Sequence, residues 1–189
     1  MDTDNSNSEN VTELLERLQD SPETLDQIMS MVYEDLHRVA RNQRRSFGMS
    51  SPQTTVLVHD AFIKLFGPSG PEIKDTQHLK RMVAKAVRHL IVDQARSQLA
   101  QKRGGGAWHT AFESDQHQAR TEAAEHVLIV EQALLRLEQL EPELADLIVG
   151  TYYGGYTARE LADITGRSPR TIERQLERAR GWLRFELNR

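Results

Sequence analysis

Thr157-Ala158-Arg159-Glu160 is followed by Gly166 and then by Ser168-Pro169, and few folds accommodate that order at that spacing. A Thr and a Glu three residues apart can each satisfy a backbone N–H of the other, so a helix is expected to begin at Ala158. Gly166 suits the left-handed backbone of a tight turn between helices. Ser168 is then a cap and Pro169 a first-turn residue of the next helix. Leu161, Ala162 and Ile164 on the first helix and Ile172, Leu176 and Ala179 on the second are spaced to pack together, small Ala162 permitting close approach. The pattern predicts a helix-turn-helix within residues 142–186. With those residues inward, Arg170, Thr171, Arg174 and Arg178 face outward on the last helix, with Arg167 and Ser168 at its positive N-terminal end. Such a face suits duplex DNA. Arginine near the helix start can pair bidentately with guanine, and Arg178, further along, suits phosphate. Glu173 and Glu177 lie on or beside this side, where they could accept from cytosine or pair with Arg170 and Arg174. The competing reading is a plain helical hairpin whose arginines are merely solvated.

The remainder of the chain is read around that unit. Leu14, Leu15 and Leu18 suggest a short helix, and Leu25, Ile28, Met29, Val32, Leu36, Val39 and Ala40 a second, after Ser21-Pro22. A third helix is expected from about Thr54 to Phe66, with Leu57, Val58, Ala61, Phe62, Leu65 and Phe66 inward, ending at Gly67-Pro68-Ser69-Gly70-Pro71. A fourth, from about Thr76 to Lys102, buries Leu79, Met82, Val83, Ala86, Val87, Leu90 and Ile91 and leaves Arg81, Lys85, Arg88 and Arg96 on another side. Gly104-Gly105-Gly106 and the polar stretch to about Glu122 read as a hinge. Val127, Val130, Leu134 and Leu137 mark a further helix, and Glu141-Pro142 starts one through Tyr152. No alternating strand pattern, repeat or long heptad run is present. The expected fold is all-α: two small helical domains joined by a flexible linker, the C-terminal one a helix-turn-helix. The expected division is a disordered N-terminus over 1–10, a helical domain over 11–103, a linker over 104–122 and the helix-turn-helix domain over 123–189.

Charge sharpens this picture. The 189 residues carry a net charge of −4, which by itself argues against nucleic acid. By segment, however, residues 79–103 carry seven bases against one acid and 157–189 eight against five, while 104–156 carry two bases against nine acids. Two basic islands therefore sit in an acidic chain. No apolar run approaches the ~20 residues of a membrane span, and MDTDNSNSEN is acidic where a secretion signal is basic and then apolar, so a cytoplasmic location without membrane insertion is expected. The absence of cysteine excludes disulfides, thiolate catalysis and cysteine-ligated zinc. His59-Asp60 matches a dipeptide of metal phosphohydrolases, but no converging set of further ligands accompanies it. Gly104-Gly105-Gly106 lacks the Lys-Ser/Thr ending of a phosphate loop. The expectation is a protein that is not an enzyme, with no cofactor and no metal.

The run from Glu160 through Gly166, continued by Thr171-Ile172-Glu173-Arg174-Gln175-Leu176-Glu177-Arg178-Ala179-Arg180, resembles the C-terminal domain of sigma-70 family factors of the extracytoplasmic-function (ECF) group. Thr55-Val56-Leu57-Val58-His59-Asp60-Ala61-Phe62-Ile63-Lys64-Leu65 looks like the helix by which such factors grip the polymerase β′ subunit. Arg88-His89-Leu90-Ile91-Val92-Asp93-Gln94-Ala95-Arg96, with Lys102-Arg103-Gly104-Gly105-Gly106, looks like their downstream-element helix and its exit into the linker. The resemblance spans roughly residues 11–186. His59, where many ECF factors have glutamine, and Leu79-Lys80, in place of aromatic residues, depart from the pattern.

By that resemblance the chain would be a promoter-specificity subunit of bacterial RNA polymerase, with core enzyme (β′ and β) and promoter DNA as partners and an anti-sigma factor as a further candidate. His59, Asp60 and Ile63 would contact core polymerase, and Arg81, Lys85, Arg88, His89 and Arg96 the downstream element. Arg167, Ser168, Arg170, Thr171, Arg174 and Arg178 would contact the upstream element, and the loop from Gly67 to Gln77 would capture an unpaired base. The acidic linker is either a nucleic-acid mimic or a solubilising hinge, with Trp108 in it as a docking residue. The rival reading is a free-standing helix-turn-helix regulator that senses a ligand or dimerises.

Overall fold

The computed structural model describes residues 56, 59–61, 63–65, 75–104 and 111–189. Among the described residues, five continuous helices follow one another: α1 (Thr76–Gly104), α2 (Ala111–Leu140), α3 (Pro142–Tyr152), α4 (Ala158–Thr165) and α5 (Pro169–Leu187). Among the described residues there is no strand, and the protein is all-α as its periodicity implies. The helices expected before residue 50, the inward Leu57, Val58, Phe62 and Phe66, and Trp108 lie outside the described residues. Of the third expected helix, Ala61 and Leu65 are buried, and residues 56, 59–61 and 63–65 are helical.

The Asp75 carboxylate accepts the His78 N–H at 2.6 Å, holding the first turn of α1. Leu79, Val83, Ala86, Val87 and Ile91 are buried along it, and Met82 and Leu90 half-buried. α2 begins earlier than expected, because residues 111–122, read as hinge, are its first turns. The physical reason is local. Gln118 to Ala124 contains no Gly or Pro, Gln118 donates to Glu122 one turn on at 3.0 Å, and the inward positions there are Thr121 and Ala124 rather than large apolar residues. That stripe continues through Val127, Glu131, Leu134 and Leu137.

Pro142 opens α3, whose Leu144, Ala145, Leu147, Ile148 and Val149 are buried nearly all round, as suits a helix enclosed by its neighbours. It ends where Gly155 takes φ of 67° and where Gly154 leaves no room for a Cβ beside the Gly150 carbonyl. α1 packs against α2, α3 and α4, while α5 packs against α2, α3 and α4. The most deeply buried side chains, Val83 and Val87 of α1, Leu134 and Leu137 of α2 and Ile172 of α5, belong to one continuous core.

Candidate nucleic-acid interface

The helix-turn-helix is set by its capping chemistry. The Thr157 hydroxyl accepts the Glu160 N–H at 3.2 Å while the Glu160 carboxylate accepts the Thr157 N–H at 2.7 Å. α4 then runs to Thr165, and Gly166, at φ of 68°, turns the chain and donates its N–H to the Ala162 carbonyl. Ser168 caps α5 by accepting the Thr171 N–H at 3.1 Å, with the Thr171 hydroxyl 2.8 Å from its own. Leu161, Ala162, Ile164, Ile172, Leu176 and Ala179 are all buried, so the α4–α5 contact forms from the residues whose spacing predicts it.

The outward face of α5 is narrower in available charge than its sequence. Arg170 and Arg174 are exposed and make no hydrogen bond or ion pair among the described residues. Arg178, also exposed, pairs with Glu141. Arg167 is half-buried and donates to Glu143 at 2.8 Å and to Gln175 at 3.1 Å. Glu173 and Glu177 are exposed and form no ion pair with Arg170 or Arg174. The acids flanking Pro142 thus engage the two outer arginines, a pairing that sequence spacing alone could not show.

The basic side of α1 differs more from expectation. Arg88, expected on an outward face with Arg81, Lys85 and Arg96, is buried at 5% exposure. Its Nε and Nη2 donate to both carboxylate oxygens of Glu131 at 2.9 and 3.1 Å, and its Nη1 to Glu138 at 3.3 Å. Burial opposes the guanidinium charge, but the hydrogen bonds and proximity of Glu131, then Glu138, outweigh it, so its pKa stands above the ordinary value. Lys85 meets Asp146 at 3.1 Å. Arg81 donates to the Ile164 carbonyl at 3.2 Å, Gln77 to that of Asp163 at 3.1 Å, and the Tyr156 hydroxyl to that of Lys80 at 3.1 Å. His89 is exposed, as is Arg96, which lies 3.5 Å from Asp93. Between α1, α3 and α4 lies a cleft of about 310 Å³ lined in part by Arg81, Lys85, Asp146 and Arg167. Tyr153, buried behind Arg88 and Glu131, has its phenol pushed up to about 12, by burial first and by the Glu131 charge second, with Arg88 acting against both.

His59, Asp60 and Ile63 stand exposed on helical residues whose Ala61 and Leu65 turn inward. Among the described residues, no helix is long and apolar enough to cross a membrane.

A helical protein with a doubly capped helix-turn-helix and two unpaired arginines on its outer helix falls in the class of DNA-binding transcription proteins. The family model of ECF sigma factors matches residues 8–189, and the chain belongs to that family. Neither the curated proteins nor the solved structures compared with it give a match. Its role is that of a sigma factor in transcription initiation, association with RNA polymerase and recognition of promoters being general to the family. Members are regulatory proteins rather than enzymes.

Proposed function

We propose that the chain directs polymerase to its promoters through two separate surfaces. α5 reads the upstream element with Arg170 and Arg174, supported at its N-terminal end by Arg167, Ser168 and Thr171 and at its outer turn by Arg178. α1 contacts the downstream element with Arg81, Lys85, Arg88, His89 and Arg96 while the stretch from Gly67 to Gln77, whose last two residues open α1, takes up an unpaired base. His59, Asp60 and Ile63 bind the β′ subunit, and the C-terminal unit meets β. The corresponding units are residues 11–103 and 123–189, joined through 104–122, of which 111–122 form the first turns of α2. The factor works in the cytoplasm, and an anti-sigma factor is a further partner.

The observation that best supports this reading is the contrast along α5, where Ile172 and Leu176 are buried while Arg170 and Arg174 stand exposed without partners. Capture of an unpaired base would help hold an open duplex whose stacking costs about 1.4 kcal/mol per step. The test is reconstitution: purified chain and core polymerase should start transcription at a cognate promoter with no other sigma present. Failure to associate with core enzyme would remove the reading whatever the DNA affinity. Transcription that still requires another sigma would return the chain to the class of free-standing regulators. Asp60→Arg, a change at an exposed carboxylate, should abolish association with core enzyme and leave the melting temperature within about 1 °C.

A further inference from the structure

We infer that the cleft between α1, α3 and α4 is a binding site for a small aromatic carboxylate. Its volume of about 310 Å³ equals the space of roughly ten water molecules, more than the packing gaps of a helical core leave. It lies at the lower end of small-molecule sites, about 300–1,000 Å³, which suits a single ring and is too small for a dinucleotide. The floor is apolar and buried, made by Ala84 of α1, Leu147 of α3, Leu161 and Ile164 of α4, and Tyr156. A flat apolar body is the complement of such a floor.

The rim supplies the charge. Arg81, Lys85 and Arg167 line it with two carboxylates, Glu143 and Asp146, a surplus of one positive charge. Lys85 is matched by Asp146 and Arg167 by Glu143, so the surplus falls on Arg81, which has no carboxylate partner among the described residues. Arg81 gives an Nη1 hydrogen to the Ile164 carbonyl. Its Nε and Nη2, the two parallel donors with which arginine clasps a carboxylate, are unengaged among the described residues. The last turn of α4 would repel an anion if its carbonyls were bare, but Gln77 donates to Asp163, Arg81 to Ile164 and the Thr165 hydroxyl to Leu161. A monoanion therefore neutralises the rim, whereas a neutral or cationic ring leaves it charged. The ligand enters between helices that stay packed, so the core of Val83, Val87, Leu134 and Leu137 remains closed.

The test uses the full chain without polymerase or DNA, so the site stands or falls whether or not Arg81 also meets a promoter. Benzoate is titrated into the isotope-labelled protein, and the backbone amide resonances of Ala84, Gly150 and Thr165, which line the cleft, are followed by nuclear magnetic resonance. Saturable shifts are expected there, with a dissociation constant on the order of 1 mM for so small a molecule. Benzamide, which is neutral, and acetate, which lacks the ring, should each bind about tenfold more weakly. Arg81→Gln should weaken benzoate about tenfold, and Arg184→Gln, the same charge change at an exposed arginine outside the cleft, should leave it unchanged. No shift at these residues by about 10 mM benzoate overturns the site. Benzamide binding as tightly as benzoate overturns the anionic class. Acetate binding as tightly, or an equal loss in Arg184→Gln, shows a general surface-ion effect and overturns the proposal. The comparison of benzoate with benzamide and acetate needs no variant, so it decides even where Arg81→Gln fails to fold.

Discussion

Arg88, Glu131 and Tyr153 form the one cluster of ionisable groups buried in this core, among the described residues. Its behaviour with pH follows from Tyr153. A phenol pushed up to about 12 keeps its proton in the folded chain when the unfolded chain, near 10, has lost it. Between those values the native state binds more protons, so stability is fully present below about pH 10 and falls as pH rises toward 12, by about 3 kcal/mol in all. Tyr153→Phe should therefore flatten the alkaline limb of a urea-midpoint curve relative to its neutral part; an identical limb would place the loss at other groups. None of this was legible in the sequence. Arg88 sits at helical spacing from Arg81 and Lys85, and that spacing correctly puts the three on one face. What covers the face is a carboxylate 43 residues further on, and separation of that order carries no periodic signal.

Elements were the most legible scale, because the information that starts and stops a helix is local. Thr157 with Glu160, Gly166, and Ser168 with Pro169 marked α4 and the start of α5 to the residue, and each of these caps formed as the chemistry requires. α2 was half legible. Its stripe of Val127, Leu134 and Leu137 was apparent, but the stripe begins with Thr121 and Ala124, whose side chains give no apolar period to read. The two glycine turns should respond differently to substitution. At Gly166 an added Cβ meets nothing, so Gly166→Ala costs only the left-handed backbone, about 1 kcal/mol. At Gly154 the Cβ would lie 2.6 Å from the Gly150 carbonyl oxygen and as close to the buried Tyr156 ring, neither of which can move aside cheaply. Gly154→Ala should cost about 2–3 kcal/mol, and urea unfolding of the two variants compares them directly. A larger loss at Gly166 would mean that the α4–α5 turn is coupled to more than its own backbone. Loss of the α4 cap through Thr157→Ala should cost about 1 kcal/mol on the same scale.

At the scale of the whole molecule, the sequence showed two basic islands in an acidic chain but not that one island is laid against the intervening acids. Salt dependence reads that difference as a number. Each phosphate neutralised contributes about −0.9 to the slope of log affinity against log salt on duplex DNA. If α1 is covered, the isolated chain binds through α5 alone, where Arg170 and Arg174 are unpaired, and the slope should lie near −2. Arg174→Ala should then bring it to about −1 and, within the polymerase complex, weaken transcription according to the upstream sequence. If the α1 stripe also met DNA in the isolated chain, Arg81, Lys85, Arg88 and Arg96 together would steepen the slope to about −5. A slope near −5 would therefore mean that the α1 stripe already meets solvent. A slope near −2 that Arg174→Ala does not change would place the binding away from α5. With a net charge of −4 over the whole chain, the isolated chain should bind weakly at physiological salt, so on the function proposed above firm promoter recognition falls to the complex in which polymerase holds both helices on DNA at once.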